Sequence, residues 1–223
     1  MGRGERGQRW VSRFGPGQQQ WLAAAEVAVV FAGVLLYIWR WQFVFPFFAL
    51  YLVGFIVVSF FVHRDTPKTL GLGAQGLAGT LGEALLVTAA LAVALVAIGV
   101  ATERLTLLRV STENLWLFVR YFGWCLFQQV GMQSFFTNRL LAVFARPRRA
   151  ALASGVMFAA FHLPNPVLVP VTFIGGFLLA WLFARRRNVL ALALGQALIG
   201  TLAAVVFPPS WHHGMRVGPG YYL

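Results

Sequence analysis

Seven apolar runs, at roughly 21–39, 43–62, 80–100, 114–136, 150–162, 166–184 and 188–207, dominate the chain and set its solvent. All are too long for typical strands, and most approach the roughly 20 residues that cross a hydrocarbon core about 30 Å thick. With 59% hydrophobic and 11% charged residues, the chain departs from a soluble domain, which has about 45–50% and about 25%. A backbone in lipid must satisfy its own hydrogen bonds, so helices are expected. The fold expected is all-α, a polytopic transmembrane bundle of about seven spans. Six or eight remain open, because region 21–62 can be divided differently and the run at 150–162 is short. That run ends at LPNP, where Pro164 and Pro166 stop a regular helix, and it reads as a partial span dipping into the bundle. The organisation expected is a basic disordered tail over 1–20, two membrane helices over 21–62, a membrane core over 63–207 and a C-terminal tail over 208–223.

The net charge of +12 could suggest a nucleic-acid partner. The basic residues instead form short clusters between apolar runs, and no soluble region is large enough to make a basic face. They do orient the chain. Arg3, Arg6, Arg9, Arg13, Arg64, Lys68, Arg139, Arg146, Arg148, Arg149, Arg185, Arg186 and Arg187 fall on one side of a seven-span arrangement. Arg40, Arg104, Arg109 and Arg216 fall on the other, and Arg120 lies inside a span. Thirteen against four predicts a cytoplasmic N-terminus by the positive-inside rule and an external C-terminus. The expectation is an integral, multi-pass protein of a bacterial-type cell membrane, with the lipid bilayer as partner and no cleavable signal. Cys125 is the one cysteine, so no internal disulfide can form. The GLGAQG at 71–76 has the form G-x-G-x-x-G, but no strand precedes it and no βαβ unit surrounds it. It reads as a turn before the third span.

Polar side chains deep in the runs are few: Glu26, Glu83, Arg120, Gln128, Gln129, Gln133, His162 and Gln196. Such groups are costly in lipid and mark either a site or a packing hydrogen bond. Glu26 and Glu83 lie near the starts of their runs, where snorkelling or the helix dipole explains them. Gln128, His162 and Gln196 are different. Counted from the nearest basic boundary residues at 1.5 Å per residue, each lies roughly 14–20 Å deep, near the midplane, on three separate runs. Gln129 and Gln133 are four apart and are expected to share a helix face. Interhelical hydrogen bonding alone would account for part of this pattern, at about 0.6–2 kcal/mol per bond.

The residues around these amides resemble the CAAX-protease and bacteriocin-processing family of intramembrane metalloproteases. Its motifs are Glu-Glu-x-x-x-Arg, then Phe-x-x-x-His, then His-x-x-x-Asn/Asp, on successive helices. QQVGMQ, Gln128 to Gln133, aligns with the first; FAAFH, Phe158 to His162, keeps the second intact and is followed by LPNP; GQALIG puts Gln196 and Gly200 at the third. TLGLG at 69–73 resembles the segment preceding the family's core helices, and the similarity covers roughly 65–207. The resemblance implies an intramembrane endopeptidase acting near a membrane-embedded or lipidated peptide C-terminus. It implies Gln128, Gln129, His162 and Gln196 at the catalytic positions, Gln133, Phe158 and Asn165 at substrate-binding positions, and zinc as cofactor. The substitutions work against that chemistry. Catalytic zinc usually takes three protein ligands and an open position, and a carboxylate serves as base. Glutamine is close in shape to glutamate but takes no proton near neutral pH. His162 is the one strong ligand left, and all six carboxylates lie at or before Glu113, with Glu103 and Glu113 placed in an outer loop. The expectation is weak or lost metal-dependent proteolysis, with peptide binding in its place. Ser134 and Ser154 lack suitable partners, since Ser154 and His162 are eight residues apart on one short run. His212 and His213 read as part of a solvated tail. Two further classes stay open: a small transporter or channel subunit, and a scaffold whose amides only join helices.

Overall fold

The computed structural model describes residues 15–74, 76–102 and 112–223. Residues 1–14 of the tail expected over 1–20, together with Gln75, Glu103, Arg104 and Arg109, lie outside the described residues. Those described are helical over most of each apolar run, with no strand among them. Helix α1 begins as Pro16–Leu36, continues through a π-helical Tyr37–Trp41 and ends with Gln42–Val44. It therefore starts inside the stretch expected to be a disordered tail. The reason is local: Pro16 fits the first turn, and the Gly15 N–H donates to Gln18 Oε1 at 3.0 Å. Pro46 then separates it from α2, Phe48–Val62. Helix α3 is Leu77–Ala101. Helix α4 comprises Thr112–Gln129, a π-helical Val130–Thr137 and Asn138–Val143. Glu113 sits in its first turn, where a carboxylate complements the helix dipole, rather than in a loop. The remaining helices are α5, Pro147–Ala160; α6, Leu168–Arg185; α7, Val189–Val206; and a short α8, Pro209–His212. Among the described residues four helices (α1, α3, α6 and α7) are long and apolar enough to cross a membrane. The chain is an integral membrane protein built as a helical bundle.

Two arrangements position the interior. The first joins the N-terminal helices to the core through charge. Glu26, expected at an interface, is 7% exposed and Arg139 only 3%. Arg139 Nε donates to Glu26 Oε2 and to Ser59 Oγ, both at 3.1 Å, and its Nη2 donates to Asp65 Oδ2 at 2.8 Å. Ser59 Oγ donates to Glu26 Oε2 at 2.8 Å, and His63 Nε2 stands 3.0 Å from the same oxygen. A carboxylate inside an apolar bundle needs partners, and Ser59, His63 and Arg139 supply them where an interface was expected to. Glu83 is likewise paired, with Arg186 at 2.8 Å.

The second is the close approach of α5 and α6. A Cβ added at Gly155 would stand 2.8 Å from Phe173 O and 2.9 Å from Phe177 N. One at Gly176 would stand 3.2 Å from Gly155 Cα. Small residues let helix backbones meet in lipid, where dispersion replaces the hydrophobic effect as the driving force. Gly155→Val is expected to cost about 1–3 kcal/mol by overpacking against main-chain atoms that cannot yield. Unfolding in detergent checks this, and a loss below about 0.5 kcal/mol would show that the helices separate freely.

Candidate functional site

Gln128 and Gln129 end the α-helical part of α4, Gln196 sits midway along α7, and His162 follows the last turn of α5. The three amides form one directional chain. Gln129 Nε2 donates to Gln196 Oε1 at 2.6 Å, and Gln196 Nε2 donates to Gln128 Oε1 at 2.6 Å. Gln129 is fully buried and its Oε1 has no hydrogen-bond partner. His162 is 9% exposed, and its Nδ1 lies 2.7 Å from Phe158 O. A carbonyl only accepts, so Nδ1 carries the proton and the neutral ring keeps a lone pair at Nε2. The Phe158 ring packs edge-on against the imidazole at 4.7 Å.

Gln128, Gln196, His162 and Phe158 line one cavity of about 380 Å³. Leu91, Val171, Leu179 and Ile199 make its aliphatic walls, and Thr88, Thr172 and Tyr121 add hydroxyls. Gln129, Gln133 and Asn165 lie outside its lining. For Gln133 the reason is the π-helical turn beginning at Val130. A π-turn takes more residues than an α-turn, so the spacing that would align residues 129 and 133 on an α-helix no longer does. Gln133 Oε1 accepts from Thr137 Oγ1 at 2.9 Å, and Thr137 Oγ1 meets Ser154 Oγ at 2.9 Å. Asn165 is fully buried with both ends of its amide engaged. Its Oδ1 accepts from the N–H groups of Val167 and Leu168 at 3.1 and 3.0 Å, capping the start of α6. Its Nδ2 donates to the carbonyls of His212 and Arg216, both at 2.9 Å.

Two features were not anticipated. Tyr121 fills the space beside Gly200, where an added Cβ would stand 2.0 Å from its hydroxyl oxygen. The C-terminal segment is also packed rather than solvated: His212 is 5% exposed, and Met215, Arg216, Val217 and Gly220 line the cavity. The Gly218 N–H donates to Leu163 O at 2.7 Å. The prolines at 208, 209 and 219 and the glycines at 214, 218 and 220 suggested a loose tail. The main-chain bonds that hold it leave no periodic side-chain signal.

Among the described residues no group of three or more His, Cys, Asp or Glu side chains could hold a metal. The family resemblance implies zinc, but the donors at this site are one imidazole and three neutral amides bonded to one another. That set does not fit a catalytic zinc, which takes three strong protein ligands plus an open position.

The fold and cavity define a polytopic helical membrane protein with a polar site enclosed between α3, α4, α6 and α7. Residues 110–202 match the family described as Type II CAAX prenyl endopeptidase Rce1-like. The match covers Gln128, Gln129, His162 and Gln196, so the part of the chain that holds the site is similar to that family. No curated protein and no solved structure matches the chain.

Proposed function

We propose that this chain is a binding member of that endopeptidase family. It takes the C-terminal part of a membrane-embedded or lipidated peptide into the cavity and does not hydrolyse it. The observation that carries this reading is the amide chain Gln129→Gln196→Gln128. Neutral amides neither activate a water nor hold zinc firmly, because they take no proton and offer weak donors. They do suit a peptide, whose main chain presents one donor and one acceptor per residue. The Gln128 NH₂ and the His162 Nε2 are the groups on these lining side chains left to meet it, and the aliphatic walls suit an apolar side chain or lipid.

The same reading puts the N-terminus in the cytoplasm of a bacterial-type membrane. Its support is that the basic links gather at one end of the bundle. The Val189 N–H donates to Gly71 O at 2.9 Å, Asn188 Nδ2 to Gly73 O at 3.1 Å and Asn138 Nδ2 to Thr69 O at 3.0 Å.

The test uses the purified full chain and a fluorescent peptide ending in a prenylated cysteine motif. The expected result is zinc well below one per chain, no cleavage, and saturable binding that weakens at least tenfold with Gln196→Leu. Stoichiometric zinc that disappears with His162→Ala, together with cleavage of the peptide, would make the chain a working metalloprotease.

A further inference from the structure

The C-terminal segment offers more than a wall. Among the described residues, three hydrogen bonds tie it to the body of the bundle, and all three use its main chain. Asn165 Nδ2 donates to the His212 and Arg216 carbonyls, and the Gly218 N–H donates to Leu163 O. Bonds of this kind read a backbone path and leave side-chain identity open. Side-chain fit enters at one point. Gly218 lies at φ 57°, and a Cβ there would stand 2.8 Å from Ile38 Cγ2 and 3.0 Å from Ile38 O. The segment therefore bridges the end of α1 to the turn after α5, and Met215 and Val217 face the cavity as part of its lining.

The seat also carries costs. His213 and Met215 adopt left-handed backbone at φ 46° and 60° without being glycine. The Met215 N–H donates to His212 Nδ1 at 3.2 Å, so the neutral ring carries its proton on Nε2. That Nε2 is buried without a partner, a position that disfavours the docked state relative to a hydrated one.

We infer that residues 209–220 are an intramolecular peptide ligand occupying the mouth of the cavity, and that an external peptide must displace them to enter. The inference rests on the cavity being a peptide site, as proposed above, and adds its regulation by the chain's own C-terminus. An external peptide would bind with an affinity reduced by the fraction of molecules whose segment is undocked. Any factor that held the segment away would raise that affinity without touching the amides.

The experiment is done on the full chain carrying Cys125→Ala, which removes the native thiol, and Val171→Cys, which places a thiol on the cavity wall. The rate of labelling by a water-soluble maleimide is read with and without Gly218→Val. Labelling at least tenfold faster with Gly218→Val is expected. A synthetic peptide of residues 209–223 added to that variant should return the rate toward that of the chain with Gly218. The same peptide carrying Gly218→Val should not. Equal rates in the two chains, or no protection by the peptide, would overturn the inference. Should Gly218→Val fail to fold, Gly218→Ala probes the same contact and should act in the same direction. Zinc and cleavage are separate readouts. A protected cavity in a hydrolysing, zinc-loaded chain would sink the proposed function and leave the docked segment standing, whereas an unprotected cavity in a zinc-free chain would sink this inference alone.

Discussion

Replacing Arg139 by methionine is expected to cost about 3–5 kcal/mol, the range found when one partner of a buried ion pair is removed. The side chain is 4% exposed and faces Glu26 and Asp65, whose side chains are 8% and 11% exposed. Without the guanidinium, two carboxylates lie within the bundle, Glu26 with Ser59 and His63 beside it and Asp65 with the Thr69 hydroxyl at 3.3 Å. The planar fork matters as well as the charge, because Nε serves Glu26 and Ser59 while Nη2 serves Ser59 and Asp65. Arg139→Lys, a point charge with no fork, should therefore recover only part of the loss. The stem is clasped between the rings of Phe60 and Phe135, 5.9 and 5.7 Å from the guanidinium carbon. Methionine keeps much of that apolar contact, so the measured loss reports mainly on charge. Removing Glu26 in the same chain, as Arg139→Met with Glu26→Gln, should recover a large share, since an absent pair costs less than half of one. Unfolding in detergent reads all four chains. A loss below about 1 kcal/mol for Arg139→Met would mean that α1 and α2 are not held through this cluster.

The helices were legible because lipid imposes a simple rule on sequence, and each apolar run became a helix. One joint was legible too, at the LPNP after His162, whereas the break at Pro46 was not read and the division of 21–62 stayed open. The Glu26 to Arg139 pair was harder. Its members are 113 residues apart, and each had a plausible local explanation at a helix end. The signal was present in the cost of an intramembrane carboxylate, which demands a partner somewhere. Within the site, motif order and depth singled out Gln128, His162 and Gln196, which do line one cavity. Gln133 and Asn165 were assigned from motif position alone, and position says nothing of the π-helical turn that carries Gln133 to Thr137 or of the caps that Asn165 supplies. Tyr121 had no motif to mark it. It matters because Gly200 has no side chain to keep it out.

Restoring the motif should have the largest chemical effect, and the amide chain dictates how. Gln129→Glu alone replaces a donor by an acceptor opposite Gln196 Oε1, 2.6 Å away at a fully buried position. Breaking that bond while leaving its partner buried is expected to cost about 1–3 kcal/mol. Gln196→His alone removes the central link and frees both neighbours, with a loss of similar size. Gln128→Glu, Gln129→Glu and Gln196→His together change the site's preference. With His162 they place two imidazoles and two carboxylates where one imidazole and three amides stood, a donor set suited to zinc. Without metal this triple variant should be less stable than the parent. With zinc at a hundred times its dissociation constant it should gain about 2.7 kcal/mol, and the parent should gain nothing. Gly200 is best left unchanged. An asparagine there would drive its Cβ into the Tyr121 hydroxyl, 2.0 Å away, unless Tyr121 were also cut back. Elemental analysis and unfolding with and without zinc decide the matter. A zinc-dependent gain in the parent as large as in the triple variant would show that the amides were never the obstacle, and no zinc in a folded triple variant would show that these positions do not converge on a common ion.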